Sequence, residues 1–199
     1  MKVIRLKTNP KVYSSNAYLI LGSWNRIEDV NTLIDVGLDG FISKDIAEIS
    51  TGVGKKPVEQ IILTHGHFDH VAGLKEVNNV FNATVYAFNP SGGVAKILID
   101  GQIILCGDAE FEVIYTPGHS QDSICLYNQI EGILFSGDIP IQIRTSDGSY
   151  SVAFVSAFEK LARRNIKIIY PGHGEPIVKN ASEMIRDSLS NIRKSQLVF

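Results

Sequence analysis

The sequence predicts a mixed α/β fold in which strands outnumber helices. Short segments rich in β-branched and aliphatic residues recur along the 199-residue chain, and turn residues close most of them. Segments with apolar residues at helical spacing lie between them and are spread along the whole chain. No Pro/Gly/Ser-rich linker and no internal repeat divides the sequence, so we expect a single domain over residues 1–199.

The first half of the chain alternates strands with helices. The predicted strands are "VIRLKT", "AYLILG", "TLIDVG", "VEQIILT" and "TVYAF". A helix is predicted over "FISKDIAEIST", between the third and fourth strands, and another over "HVAGLKEVNNVF", between the fourth and fifth. The stretch over residues 89–107 contains glycines and has no clear periodicity, so it carries no prediction.

The second half contains three consecutive strand segments followed by two helices. The strands are "EFEVIYT", "SICLYN" and "GILFSG", and a further strand, "IKIIYPG", separates the helices "VAFVSAFEKLARRN" and "NASEMIRDSLSNIRKSQL". Asn180 is expected to cap the last helix, with Glu183 three residues later as in a capping box.

Composition limits the classes of function. A net charge of −2 argues against nucleic acid as the main partner. No apolar run approaches the roughly 20 residues of a membrane span, and the N-terminus has no apolar targeting segment, so we expect a cytoplasmic protein. Cys106 and Cys125 lie far apart without CxxC spacing and are expected to be reduced, partly buried thiols.

The short run "HGHFDH" holds three of the five histidines of the chain. His65 and His67 are two residues apart on a predicted loop after a strand, so both side chains can point to one side. Asp69 and His70 begin the next predicted helix and can face a second point nearby. Neutral imidazoles and carboxylates are the usual ligands of zinc and similar divalent ions.

The remaining histidines follow strand ends in the same way. His119 lies in "YTPGHS", His173 lies in "YPGHGEP", and Asp138 follows the strand segment "LFSGD". One ion needs about three protein ligands if it is to keep an open position for water. Seven candidate ligands therefore serve two ions if one carboxylate bridges them, and such two-metal sites activate water for hydrolysis.

These motifs, taken in order, resemble the metallo-β-lactamase superfamily. The resemblance rests on "THGHFDHVAG", "TPGHS", "FSGD" and "YPGHGEP", and it extends from Asp35 in "LIDVG" to His173. It implies an αββα sandwich of two mixed sheets flanked by helices. It also implies the following ligands: for the first ion His65, His67 and His119, for the second Asp69, His70 and His173, and as the bridge Asp138.

The resemblance also implies a mechanism. A hydroxide bridging two divalent ions, zinc before iron or manganese, would attack a small ester-like substrate. Asp69 would in addition orient the hydroxide or help to deliver a proton to the leaving group. Asp35 is expected either to fix a ligand imidazole by a hydrogen bond or to be a polar turn residue before Gly37.

The substrate is less determined by the sequence. The extra helical domain of glyoxalase II-like enzymes and the RNA-gripping arm of ribonuclease Z are not evident, which favours a compact member of the glyoxalase II-like branch that acts on a thioester or a lactone. Arg144 and Tyr150, in the loop after Asp138, are candidates for contacts with a small-molecule substrate. Asp122 stands where many members of the superfamily have Gly.

The sequence leaves other functions open. A mononuclear-iron oxidoreductase similar to persulfide dioxygenases would use His65, His119 and Asp138-type ligands. A phosphodiesterase similar to ribonuclease Z, or a binding module without catalysis, would keep the same scaffold. No membrane or nucleic-acid partner is expected, and a homodimer is an open possibility.

Overall fold

The computed structural model describes residues 1–24, 26–90 and 93–198. The chain forms two compact units: the first comprises Met1–Leu98 and Ile103–Phe111, and the second comprises Ile99–Gln102 and Glu112–Phe199. The expected single domain over 1–199 stays a prediction. Among the described residues, no helix combines the length and hydrophobicity that crossing a membrane requires.

The first unit is built on a six-stranded sheet with the order β1-β2-β3-β4-β5-β6. Its strands are β1 (Lys2–Arg5), β2 (Tyr18–Leu21), β3 (Thr32–Ile34), β4 (Gln60–Ile62), β5 (Thr84–Ala87) and β6 (Lys96–Ile97), and β7 (Ile103–Cys106) follows them in the chain. β1, β2 and β3 pair antiparallel, whereas β3 to β6 pair parallel. Every residue of β2, β3 and β4 is buried, as expected for central strands covered on both faces.

Three helices belong to the first unit: α1 (Ile42–Ala47), α2 (Phe68–Val71) and α3 (Leu74–Phe81). α1 buries Ile42 and Ile46, and α3 buries Leu74 and Val77, in a core that also contains the apolar residues of the sheet. The spacing of four and three residues places each pair on one helix face.

The helix predicted over 70–81 is two helices in the structure, and that prediction is corrected here. α2 already begins at Phe68, and α3 begins at Leu74 after a break at Gly73. The Gly73 amide donates to the carbonyl of Gly37 at 3.1 Å, outside the helix. A Cβ at position 73 would lie 2.6 Å from the Asp39 carbonyl oxygen, so this close approach requires glycine.

The second unit contains a sheet in which β8, β9, β10 and β12 are successive neighbours. Its elements are β8 (Ala109–Tyr115, which begins in the first unit), β9 (Ile124–Asn128), β10 (Ile133–Gly137), β11 (Ser149–Ser151), α4 (Val152–Ala162), β12 (Ile168–Pro171), α5 (Ala181–Lys194) and β13 (Gln196–Val198). β9 pairs antiparallel with β8 and β10, and β10 pairs parallel with β12. β8, β10 and β12 therefore run in the same direction, and their carboxyl ends share one edge of the sheet.

The two helices of the second unit cover a core of their own. α4 buries Phe154, Ala157, Phe158 and Leu161 at positions of one helix face, in the same cluster as apolar residues of α5. Ser151 caps α4, because its hydroxyl accepts a hydrogen bond from the Phe154 amide at 3.2 Å.

Two features of the second unit differ from the sequence-based predictions. β11 and β13 form a parallel pair, with Tyr150 opposite Leu197, where a loop and the end of a helix were predicted. Asn180 is at the N-cap position of α5, but its side chain makes no capping hydrogen bond. Its backbone is left-handed, with φ of 55°, whereas a capping side chain needs an extended backbone.

Candidate functional site

The first unit brings together all four candidate ligands of "HGHFDH". His65 follows β4 and is buried, and His70 in α2 is fully buried. The ring centroids of His65 and His67 are 4.6 Å apart, and those of His65 and His70 are 4.1 Å apart. Asp69 Oδ2 is 4.0 Å from His70 Nε2. Three imidazoles and a carboxylate therefore form one cluster at the end of β4.

Asp35 connects this cluster to the end of the neighbouring strand β3. Its Oδ2 is 2.8 Å from His70 Nδ1, and it accepts a hydrogen bond of 2.8 Å from the Thr64 hydroxyl. The Thr64 amide donates to Asp35 Oδ1, also at 2.8 Å. Asp35 is buried with a left-handed backbone, φ of 55°, which a residue other than glycine rarely adopts. Of the two expectations for Asp35, the structure shows the hydrogen bond to a candidate ligand.

These hydrogen bonds decide which nitrogen of each imidazole carries the proton. An ionised carboxylate only accepts, so neutral His70 carries its hydrogen on Nδ1 and has a lone pair on Nε2. The single hydrogen of the Thr64 hydroxyl goes to Asp35, so Thr64 Oγ1 accepts from His65 Nδ1, which lies 3.1 Å away. His65 and His70 therefore both present Nε2, and this arrangement of the outer hydrogen bonds is typical of histidines that bind metals.

The second unit brings together the other three candidate ligands. His119 follows β8, Asp138 follows β10 and His173 follows β12, so all three lie at the edge where these strands end. Asp138 Oδ2 is 3.5 Å from His119 Nε2 and 3.4 Å from His173 Nε2. One carboxylate oxygen thus faces two imidazole nitrogens.

A network of short side chains holds the loop that carries His119. The Ser120 hydroxyl donates to Asp122 Oδ1 at 2.7 Å, and its oxygen is 2.6 Å from Ser123 Oγ. Ser123 Oγ also accepts from the Ser120 amide at 3.2 Å. Asp122, which departs from the common pattern of the superfamily, therefore has a structural contact in this loop.

Gly118 precedes His119 and packs directly on an aromatic ring. A Cβ at this position would lie 2.2 Å from Phe154 Cδ2, and φ at Gly118 is 149°. The Phe154 ring has little room to move, because it packs against two other aromatic rings. Its centroid is 5.2 Å from that of Tyr150, on which it stacks, and 5.0 Å from that of Phe158. α4 thereby supports the position of His119.

Each unit offers donor atoms that suit a divalent first-row metal. The first unit supplies three imidazoles and the Asp69 carboxylate, and the second supplies two imidazoles and the Asp138 carboxylate. Nitrogen and oxygen donors of this kind are typical of zinc, iron and manganese sites. The residues present therefore fit the class of metal expected from the sequence.

A pocket of about 480 Å³ in the second unit is bordered by His119 and Asp138. Its remaining walls are apolar or carry neutral polar groups: Pro117, Gly118, Gln121, Pro140, Ser149, Tyr150, Ser151, Ala153 and Phe154. Tyr150, a predicted substrate contact, is thus placed beside two candidate ligands. Arg144 lies elsewhere, in a groove with residues of α5, and donates to Gln142 Oε1 at 2.8 Å.

The two cysteines are free and fully buried, one in each unit. Burial raises the pKa of both Cys106 and Cys125 to about 12 from an ordinary value of 9.0. Both are therefore protonated thiols near neutral pH and unsuited to nucleophilic attack or metal binding. They are reduced, as predicted, and more deeply buried than predicted.

A model of the metallo-β-lactamase superfamily matches residues 10–173. The chain therefore belongs to this superfamily, which confirms the resemblance found in its motifs. The structure is similar to that of BLEG-1 B3 metallo-β-lactamase, with a TM-score of 0.66, 21% identity, and coverage of 95% of this chain and 97% of the other. This likeness confirms the αββα fold class.

Two relatives carry names that describe an activity. An atrochrysone carboxyl ACP thioesterase of Aspergillus fumigatus is 26% identical over 98% of this chain and 62% of its own length. A hydroxyacylglutathione hydrolase of Francisella tularensis subsp. novicida is 36% identical over 49% of this chain and 40% of its own length. The matched regions thus span about two fifths to three fifths of the length of these relatives.

Proposed function

We propose that the chain is a metal-dependent hydrolase of thioesters whose candidate ligands hold two divalent ions. Support for the metal comes from the hydrogen bonds of Asp35 with His70 and of Thr64 with His65, because they place the imidazole hydrogens on Nδ1, so that Nε2 carries the lone pair that a metal requires. Support for thioesters comes from the names of the two relatives, since both describe enzymes whose substrates carry an acyl group on sulfur.

The proposed ligands follow the motifs of the superfamily. They are His65, His67 and His119 for the first ion, Asp69, His70 and His173 for the second, and Asp138 between the two. The contacts of Asp138 Oδ2 with two imidazole nitrogens, at 3.5 and 3.4 Å, support a carboxylate shared by two ligand sets. Zinc is the proposed metal, because the donors are mainly imidazoles.

The proposed reaction adds water across the C–S bond of the substrate. When bound, the two ions would lower the pKa of water and polarise the thioester carbonyl. The Asp69 side chain is partly exposed, and we assign it the orientation of the attacking water and the transfer of a proton from that water to the departing sulfur. A C–O bond forms, the C–S bond breaks, and the products are a carboxylic acid and a thiol.

A thioester suits the side chains of this site. A thiol has a pKa of about 8.5, so it leaves as a thiolate with little help from a proton donor. The buried Cys106 and Cys125 are protonated and do not compete as nucleophiles. The pocket beside His119 and Asp138, with Tyr150 and Phe154 in its wall, is proposed to receive the acyl group.

The test combines metal analysis with a panel of thioesters, lactones and phosphodiesters. Protein loaded with zinc is expected to bind two ions per chain and to hydrolyse thioesters fastest. His67→Ala should lower kcat/KM at least about a hundredfold, because one metal ligand is lost. Lys75→Ala, an exposed change on α3, serves as the control.

Two outcomes would contradict the proposal. One tightly bound iron per chain with consumption of oxygen would favour the mononuclear oxidoreductase. Two bound ions with turnover of phosphodiesters alone would keep the metal centre and overturn the substrate class.

A further inference from the structure

A basic groove of about 470 Å³ lies between α4 and α5, apart from the candidate ligands. Its lining consists of Glu159, Ala162, Arg163, Arg186, Leu189, Ser190, Arg193 and Lys194. Three of the seven arginines of the chain therefore border one groove, together with one lysine, although the chain as a whole carries a net charge of −2.

The charges of this groove are unbalanced. Glu159 is the single acidic residue of the lining, and Arg193 already binds its Oε1 at 2.6 Å. Arg163, Arg186 and Lys194 are exposed and add three further positive charges. Guanidinium groups form paired hydrogen bonds with phosphate oxygens, so several arginines in one concave site favour a phosphorylated ligand.

Residues that line the groove are close in the sequence, or in strand pairing, to residues that line the pocket beside His119. Lys194 ends α5, and two residues later Gln196 pairs with Ser149, which lines that pocket. Two residues of extended chain span about 7 Å. The same two sites are joined along α4, where Phe154 lines the pocket and Ala162 lines the groove, eight residues or about 12 Å along the helix.

We propose that the groove binds the phosphate groups of a coenzyme A-type thioester. The pantetheine arm would follow β11 and β13, and the acyl-sulfur bond would lie in the pocket beside His119 and Asp138. This assignment rests on the proposed thioesterase function and names its substrate class. A concave groove of about 470 Å³ is within the size range of small-molecule sites, so its shape and its positive charge favour a nucleotide-sized phosphorylated group over a docked carrier protein.

The experiment measures binding and turnover separately. Arg163→Gln and Arg186→Gln are combined in one variant, and Lys167→Gln and Lys179→Gln are combined in a control that loses the same charge outside the groove. Calorimetry with coenzyme A itself reports binding without turnover. The arginine variant should raise the Kd for coenzyme A about tenfold or more, and the lysine control should leave it unchanged.

Turnover is compared for one acyl group on three thiols. The arginine variant should lower the ratio of kcat/KM for the coenzyme A thioester to that for the N-acetylcysteamine thioester, which has no phosphate, about tenfold. Added salt should lower this ratio in the wild type. The third substrate carries the acyl group on a phosphopantetheinylated carrier protein.

Each contrary outcome has one meaning. Equal losses in the two double variants, or an unchanged ratio, would overturn the phosphate site. An effect confined to the carrier-protein substrate would also overturn it and assign the groove to protein docking. Coenzyme A binding that depends on the arginines, without hydrolysis of any thioester, would keep the phosphate site and reject the proposed thioesterase.

Discussion

Asp35 Oδ2 lies 2.8 Å from His70 Nδ1, although the two residues are 35 positions apart in the sequence. The parallel pairing of β3 with β4 brings them together, since Asp35 follows one strand and His70 follows the loop after the other. The same carboxylate also accepts from the Thr64 hydroxyl and amide. A single buried charge therefore orients two imidazoles of the cluster.

Asp35→Asn should weaken metal binding. Asparagine tolerates the left-handed backbone at this position, so the variant tests the carboxylate and not the backbone. An amide offers one acceptor oxygen where the carboxylate has two, and so His70 or Thr64 loses a partner. We expect a loss of about 10- to 100-fold in zinc affinity, measured by competition with a chromophoric chelator.

Asp45→Asn is the matched control for this prediction. Asp45 is a carboxylate of the same unit that pairs with Lys7, 3.5 Å away, outside the histidine cluster. Its substitution should leave zinc affinity within about twofold of the wild type. Equal affinities for Asp35→Asn and the wild type would show that the carboxylate does not orient the ligands.

Thr64→Val should destabilise the metal-free protein by about 2 kcal/mol, because two hydrogen bonds of a buried hydroxyl are lost at nearly constant volume. Asp35 then loses a donor and His65 Nδ1 loses an acceptor. Urea denaturation measures the free energy of unfolding, and Thr64→Ser should recover most of it. If valine and serine proved equally stable, the hydroxyl would not link the two side chains.

Gly118→Ala should destabilise the protein by about 3 kcal/mol or more. The new Cβ would lie 2.2 Å from Phe154 Cδ2. Alanine would also be forced into a backbone φ of 149°, which is strained for a residue with a side chain. Gly101→Ala is the control, since φ there is 80° but no atom lies within 4 Å of the Cβ, and we expect about 1 kcal/mol.

Thermal unfolding of both alanine variants separates the clash from the backbone strain. Adding Phe154→Ala to Gly118→Ala should cost less than the sum of the two single changes, because the ring that causes the clash is gone. Strict additivity would place the cost of Gly118→Ala in the backbone alone.

The buried thiols predict a loss of stability at alkaline pH. The pKa of Cys106 and Cys125 is raised to about 12 in the folded protein from 9.0, so folding favours the protonated thiol. The contribution of these thiols to the free energy of unfolding is complete below pH 9 and is lost progressively as pH rises toward 12. At pH 10 the expected loss is on the order of 1 kcal/mol for each thiol relative to pH 7.

Urea denaturation at pH 7 and pH 10 measures this loss, with the double variant Cys106→Ala and Cys125→Ala as the reference. Burial also raises the pKa of Tyr127 and Tyr170, and these side chains contribute in the same direction in both proteins. The difference between the two proteins therefore reports the thiols. An equal loss in both would contradict the predicted linkage.

Much of the fold was predictable because strong local patterns specify it. The apolar runs of β2, β4, β9 and β10 are buried at every residue, so their hydrophobicity alone identified them. β11 and β13 were missed because they are short, mostly exposed, and stabilised by each other at a separation of about 47 residues. A single-sequence pattern carries no signal for such a pairing.

The candidate ligands were predictable from motif spacing, but the side chains that support them were not. Thr64 was missed, although its position directly between a buried strand and His65 was a usable signal. The contact of Gly118 with Phe154 joins residues 36 positions apart, and it depends on how α4 packs. The assignment of ligands to two ions stays a prediction.

The burial of both native cysteines makes the chain a convenient background for spectroscopy. Neither thiol is accessible to a maleimide or nitroxide reagent in the folded state. Cysteines introduced at two exposed positions of one compact unit would therefore be labelled selectively while both native cysteines stay in place. Paramagnetic or fluorescence distance measurements on such pairs, with and without zinc, would report whether metal loading changes the distance between the two labelled positions.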